Sequence, residues 1–400
     1  MKLLVKTNSL IITLGLVSMS CSLSSYGFED IDLVKKDKKA LGIFSVVRFS
    51  NDPCSTADNT NGTCYTSEEC SSRGGSSSGN CASGYGVCCI FALGCGQRSI
   101  ENCTYFSSPA ASQDGRCILT ICPCSDNICQ LRLDFSTFTL SGPATATDST
   151  AKTPAGKDLT DEQRCLMDTF SVTNPGGSTP PVICGMNNGE HMYVDSAEAC
   201  NDLVFNSVSA NVRQTWRIKI TQYSCDFDNL APDGCTQYFF GSKTGTVKTF
   251  NFDGGQHLND QDQRICVRRE RSNCQICWSA TGDGDFETSG DKNGASGLAI
   301  VRTSCCGYGI SGIKEFGFDC VMIPGASKKT NSAPIPTIGA HGLCGSKFAP
   351  TDGATVSKTI CSKAVPFNIR FLSDEREQFT KEKGKNPNGF KLFYEMFPCT

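Results

Sequence analysis

From Cys95 onward, apolar and polar positions follow the short rhythm of strands. Leu131, Leu133 and Phe135 alternate with Arg132, Asp134 and Ser136, and Ile218 and Ile220 alternate with Lys219 and Thr221. A period of two sends one set of side chains to a buried face and the other to water. Turn-forming runs separate these stretches: Ser141-Gly-Pro143, Asn174-Pro-Gly-Gly177, Thr179-Pro-Pro181 and Asn187-Asn-Gly189. Sustained helical periodicity is missing, except over the polar residues 374–383, which predict one or two exposed turns. Many short alternating strands with turns between them predict an all-β fold of antiparallel sandwiches.

One run of these elements is written twice. Asp168 to Val172, Cys184-Gly185, Leu203 to Phe205 and Trp216 to Cys225 reappear as Asp319 to Ile323, Cys344-Gly345, Ile369 to Phe371 and Phe390 to Cys399. The order agrees, and the step from Trp216 to Cys225 equals that from Phe390 to Cys399. A repeat of this length predicts two related domains in tandem.

Composition then narrows the setting. A chain of 400 residues has room for two or three domains. A net charge of −3 offers no basic field for nucleic acid or an anionic membrane. The 27 cysteines, at scattered spacings, read as a disulfide framework in an oxidising compartment. Zinc would need recurring Cys-x-x-Cys pairs or histidines at ligand spacing, whereas only Cys274 and Cys277 qualify and His191, His257 and His341 stand apart. Residues 1–27 have the form of a signal peptide: Lys2 and Lys6, the apolar stretch Leu10 to Val17, then Ser25 and Gly27 at the subsites a signal peptidase reads. A lipoprotein reading through Cys21 fits poorly with Ser18-Met-Ser20. No apolar window reaches the roughly twenty residues that span a bilayer. Removing this leader takes Cys21 and leaves an even number of cysteines, as full pairing requires. The expectation is a secreted, extracellular protein.

After a charged spacer (28–53) comes a compact cluster: Cys54, Cys64, Cys70, Cys81 and the adjacent Cys88-Cys89. Between Cys70 and Cys81, the run Ser71 to Gly79 has no apolar side chain and reads as a flexible loop. So small a segment needs staples, and three disulfides are expected. With Gly62-Thr-Cys64, a five-residue gap to the next cysteine and the terminal Cys-Cys, residues 54–93 resemble the clip domain of arthropod proteases. That resemblance implies the pairs Cys54–Cys88, Cys64–Cys81 and Cys70–Cys89. Asn61-Gly-Thr63 and Asn102-Cys-Thr104 are N-glycosylation acceptors, the first in a polar loop and the second with a cysteine in its middle position.

The repeated stretch resembles a CUB domain, a disulfide-bonded β-sandwich of extracellular animal proteins. The first copy carries Ser108-Pro109, Leu131 to Phe135, Phe138-Thr-Leu140, Cys165-Leu-Met-Asp168, Cys184-Gly185 and a closing strand at Trp216. The second carries Phe318-Asp319, Cys344-Gly345, Phe371-Leu-Ser-Asp374 and Gly389-Phe390 with Tyr394. The resemblance implies two tandem CUB-like, jelly-roll domains, 94–225 and 226–400, behind the small disulfide-rich module. The ensemble resembles a secreted arthropod CUB domain-containing protein. Cys165–Cys184 is the pair the family pattern implies. Cys200–Cys225 and Cys361–Cys399 would be equivalent staples by position alone. Phe316 stands where the second copy should have its cysteine, so Cys344 must turn to Cys320 or to one of Cys305-Cys306.

Many CUB domains hold calcium through a Glu and two Asp, since hard carboxylate oxygens suit that ion. In the first copy Asp168 remains, but Ser141 and Val208 stand at the other two places, so that site is lost. In the second, Asp319, Asp374 and Glu287 are the candidate ligands. Catalysis has no comparable set: Gly-Asp-Ser-Gly-Gly, Gly-x-Ser-x-Gly and His-Glu-x-x-His are absent, and a cysteine nucleophile would need a free thiolate. Gly282-Asp-Gly-Asp285 lacks the terminal glutamate of a calcium loop and reads as a plain loop. Trp216 and Trp278 sit in strand patterns and read as core. The expectation is therefore a non-catalytic binding or scaffold protein that meets an extracellular protein or glycan through loops on a stapled frame. An inactive regulator of a protease cascade and a matrix or cuticle component are the alternatives.

Overall fold

The computed structural model describes residues 3–5, 45–110, 115–144, 164–173, 175–196, 199–208, 214–288, 298–301, 305–306, 319–328, 338, 342–373 and 387–399. The turns expected over 374–383 lie outside them. Strand β1 (Leu3–Val5) pairs antiparallel with β2 (Ser45–Val47), which falls inside the stretch read as a charged spacer. The cysteine-rich module follows, with β3 (Pro53–Ser55), β4 (Asn61–Tyr65), helix α1 (Ser67–Ser72), β5 (Ser76–Cys81) and β6 (Gly86–Leu93). Its middle is more ordered than its composition suggests. Thr66 caps α1 by accepting the Glu69 N–H on its hydroxyl at 3.1 Å. The second half of the serine-rich run is strand β5, paired with β6. Backbone hydrogen bonds to a neighbouring edge hold it there, and they need no apolar side chain.

The first sandwich uses β7 (Arg98–Ser99), β8 (Thr104–Ser107), β9 (Gly115–Ile121), β10 (Ile128–Thr139), β11 (Asp168–Thr173), β12 (His191–Asp195), β13 (Asn201–Ser207) and β14 (Thr215–Ser224). One sheet runs β12-β10-β14-β8 and the other β11-β13-β9-β7. The second uses β15 (Gln237–Phe239), β16 (Thr244–Lys248), β17 (Asp262–Val267), β18 (Asn273–Ser279), β19 (Phe286–Glu287), β20 (Ala299–Ile300), β21 (Cys320–Met322), β22 (Ala326–Lys328), β23 (Cys344–Gly345), β24 (Ile360–Ser362), β25 (Phe367–Leu372) and β26 (Gly389–Pro398). Its sheets run β16-β26-β18-β24-β22 and β15-β17-β25-β21, the same order as in the first. Even the opening parallel pair recurs, β7 on β9 and β15 on β17. The fold is two tandem antiparallel β-sandwiches behind a small disulfide-rich module.

Alternation builds each core. Leu131, Leu133 and Phe135 of β10 and Ile218 and Ile220 of β14 are buried between the sheets. A register shift against β14 between Phe135 and Thr137 then turns Phe138 inward as well, three residues on. Trp216 stacks on Phe205 with ring centroids 3.8 Å apart, and Trp278 lies fully buried in the second core. Both tryptophans are core residues. The module is not a separate bead, since β6 pairs in parallel with β8 and extends the first sandwich's sheet to β4 and β3.

The structure pairs Cys54 with Cys88, Cys64 with Cys81, Cys70 with Cys89 and Cys165 with Cys184. The two staples placed by position alone are not formed. Cys200 bonds Cys122, because Asn201 at the start of β13 stands opposite Ile121 at the end of β9. Cys225 bonds Cys129, because β14 ends opposite the start of β10. Cys361 lies directly across from Cys277 on β18 and bonds it, while Cys399 reaches Cys274. Cys344 takes Cys305, leaving Cys306 with Cys320, and Cys95–Cys117 and Cys235–Cys266 tie the first strands. Cys103 is also disulfide-bonded, whereas Cys124 keeps a thiol.

Candidate interaction site at the junction of the two sandwiches

Candidate residues that the sequence pattern does not mark lie where the sandwiches meet. Edge strand β12 faces the segment leading into β15. The Tyr193 N–H donates to the Thr236 carbonyl at 2.8 Å, and the Tyr238 N–H donates to His191 Nε2 at 3.0 Å. Next to them runs a chain of buried amides. Gln237 donates to Glu190 Oε2 at 2.7 Å, and Gln263 donates to Gln237 Oε1 at 2.9 Å. Asn187 Oδ1 accepts the Asn251 N–H at 2.8 Å, and Asn251 Oδ1 accepts the Met186 N–H at 2.9 Å. Gln261 donates to the Val182 carbonyl, and Phe250 and Leu258 from the second half enter the core of the first. Buried polar groups that find all their partners fix one relative placement of the elements that carry them.

Charge at the seam follows burial. His191 is buried, and desolvation with nearby Arg132 holds its imidazole down at about 3, so it is neutral. Burial raises the Glu190 carboxyl, while Lys248 at 3.1 Å and Gln237 pull it back. Burial works against the Arg132 guanidinium, but Asp134 and the Tyr193 ring beneath it leave its pKa above the usual arginine value.

Above this seam a cleft of about 230 Å³ opens between the sandwiches. Ser178, Thr179 and Asp195 line it from the first half, and Thr236, Asp262 and Arg264 from the second. Arg370 clamps Asp262 with two hydrogen bonds, at 2.7 and 2.6 Å. The Arg264 guanidinium, half-buried, makes no ion pair or side-chain hydrogen bond among the described residues, and Asp195 has only a 3.5 Å contact from Gln130. One cation and one carboxylate thus stand open across the seam, flanked by hydroxyls.

Asp168, Asp319 and Glu287, expected site residues of the sequence, fall elsewhere. Asp168 is buried, taking the Ser141 N–H at 2.9 Å and Gln214 Nε2 at 3.1 and 3.3 Å. Asp319 is buried beside His257, with Oδ2 3.2 Å from Nε2. Glu287 lies on β19 opposite Gly389, and Asp374 is outside the described residues. A hard cation needs several converging oxygens. Among the described residues no three His, Cys, Asp or Glu groups gather for a metal, and Asp319 faces an imidazole. Asn61 is exposed at the start of β4. Asn102 instead gives its Nδ2 to the Gln222 carbonyl at 2.9 Å, a bond that a glycan there would have to accommodate.

Comparison with known proteins places the second half. Residues 232–397 match the family model described as Animal CUB domain. No curated protein matches the chain. Among solved structures, the CUB1-EGF-CUB2 domain of human MASP-1/3 is 13% identical, covering 73% of this chain and 98% of that one at a TM-score of 0.23. The CUB1-EGF-CUB2 domains of rat MASP-1 are 12% identical, covering 76% and 99% at 0.22. The full extracellular region of zebrafish Gpr126/Adgrg6 is 13% identical, covering 76% and 36% at 0.23.

Proposed function

We propose that this is a secreted, non-catalytic binding protein that recognises an extracellular protein or glycan through the cleft between its two sandwiches. The observation that carries the reading is the pair of unspent charges there, Asp195 and Arg264, beside a seam in which Asn187, Gln237, Asn251 and Gln263 are hydrogen-bonded to one another or to their neighbours. Groups that are held rigidly and left unpaired recognise a partner at little ordering cost. The CUB match over residues 232–397 supports it, because CUB domains are extracellular binding modules, typically without catalysis. The disulfides fit an oxidising compartment, and no helix among the described residues is long and apolar enough to cross a membrane. The two buried histidines hydrogen-bond inside the fold, and burial pushes the Cys124 thiol up, away from the thiolate a nucleophile needs. The module shares a sheet with the first sandwich, so it belongs to the same frame.

The test is capture from extracellular fluid with the purified protein, beside Arg264→Glu and Asp195→Lys variants of unchanged thermal stability. Partners held by the parent and lost from both variants are the expected result. A partner set identical across all three would remove the cleft from consideration.

A further inference from the structure

Cys103 and Cys124 lie on two segments fastened to one residue, Gln222. Asn102 takes the Gln222 N–H on Oδ1 at 2.7 Å and gives its Nδ2 to the Gln222 carbonyl at 2.9 Å. From the other side, the Cys124 N–H donates to Gln222 Oε1 at 2.8 Å. Gln222 Nε2 closes the set, donating to the Cys122 carbonyl at 3.1 Å and the Glu101 carbonyl at 3.4 Å. The chain before β8 and the chain after β9 are therefore drawn to the same point of β14. Cys103 is fully buried there with left-handed backbone, φ 55°, and Cys124 is half-buried.

The count of cysteines points the same way. The twelve described disulfides use none of Cys21, Cys103 or Cys124. Cys103 is disulfide-bonded in the full-length chain, and Cys124 is a thiol. A chain cleaved after Gly27 has lost Cys21, and its remaining cysteines outside the twelve pairs are Cys103 and Cys124.

We propose that Cys103 and Cys124 bond to each other in the secreted chain, a further disulfide joining the entrance of β8 to the β9–β10 turn beside Gln222. The proposal rests on the leader reading of residues 1–27. Forming the bond takes two thiols to one disulfide, with loss of two protons and two electrons. A protein or glutathione disulfide of the secretory compartment accepts them and is reduced to two thiols. The new bond takes up the Cys124 thiol and fixes the turn that also carries Cys122–Cys200.

The experiment uses full-length precursor expressed through a secretory pathway. The product is N-terminally sequenced, denatured without reductant, alkylated and mapped by mass spectrometry. The expected protein begins at Phe28, takes up no alkyl group and yields a peptide pair linked through Cys103 and Cys124. A protein beginning at Phe28 with both cysteines alkylated overturns the disulfide while leaving the leader reading intact. A protein beginning at Met1 overturns the leader reading, and the pairing argued from it. A Cys124→Ser variant should expose one alkylatable thiol per chain, at Cys103; finding none would also refute the pairing.

Discussion

A Cβ built on Gly185 would lie 2.0 Å from Asn251 Oδ1, the atom that accepts the Met186 N–H across the seam. Gly185 also has φ 73°, where a side chain is strained. Gly189, four residues on, has φ 77° with nothing within 4 Å of the same position. The two glycines therefore separate backbone strain from the seam contact. Gly189→Ala is expected to lose about 1 kcal/mol, the cost of left-handed backbone alone. Gly185→Ala is expected to lose on the order of 2–4 kcal/mol, since it also displaces Asn251 from its partners. Urea unfolding of both variants measures the difference, and equal losses would mean that Asn251 is not held as tightly as its hydrogen bonds indicate. Cys184-Gly185 stood out in the sequence because it recurs, but its purpose did not. Asn187 and Asn251 are single amides that a sequence cannot distinguish from turn residues, because their burial depends on a partner more than sixty positions away.

At the scale of elements, the repeat was legible and the pairing between elements was less so. The matched runs are β11 and β21, β13 and β25, and β14 and β26, which hold the same places in their sheets. Alternation reports which face of a strand is buried, so the cores could be read; it is silent on which strand lies alongside. That gap misplaced Cys200, Cys225, Cys361 and Cys399, whose partners are set by register across the sheet. Helix α1 had a local mark, since Thr66 followed by Glu69 is a capping box, whereas the serine-rich β5 had none. The join between the module and the first sandwich also has no local mark. Tyr105 of β8 makes that join, its hydroxyl accepting the Asn61 N–H at 2.9 Å and donating to the Asn61 carbonyl at 3.0 Å, with Arg217 over its ring. Tyr105→Phe removes both bonds at once. Amide exchange over Asn61 to Tyr65 is expected to quicken roughly tenfold, for about 1.4 kcal/mol of lost local stability. Unchanged exchange would show that the shared sheet alone holds the module.

For the molecule as a whole, the seam makes stability depend on pH through His191. Its pKa is about 3 in the folded protein against an ordinary 6.5, depressed by burial first and by Arg132 second. A depressed folded value means the unfolded chain takes the proton more readily. The stabilisation is therefore complete above about pH 6.5 and is lost as the pH falls toward 3, at up to ~1.4 kcal/mol per pH unit. Across the sheet Asp134 of β10 stands opposite His191 and Arg132 acts on its charge, with the rings of Tyr193 and Phe239 against the imidazole and Tyr238 bonded to it. Glu190 works in the opposite sense: burial raises its folded carboxyl, so its contribution is present at acid pH and declines as the pH rises through its folded value. It offsets part of the His191 slope over the range in which it titrates, in parent and variant alike. His191→Gln keeps an acceptor for the Tyr238 N–H and cannot titrate. The variant is expected to have a flatter profile of denaturation midpoint against pH between 6.5 and 4.5, where His191 dominates the difference. Parallel profiles for parent and variant would mean that the two sandwiches admit a protonated imidazole between them, and that the junction is looser than its hydrogen bonds imply.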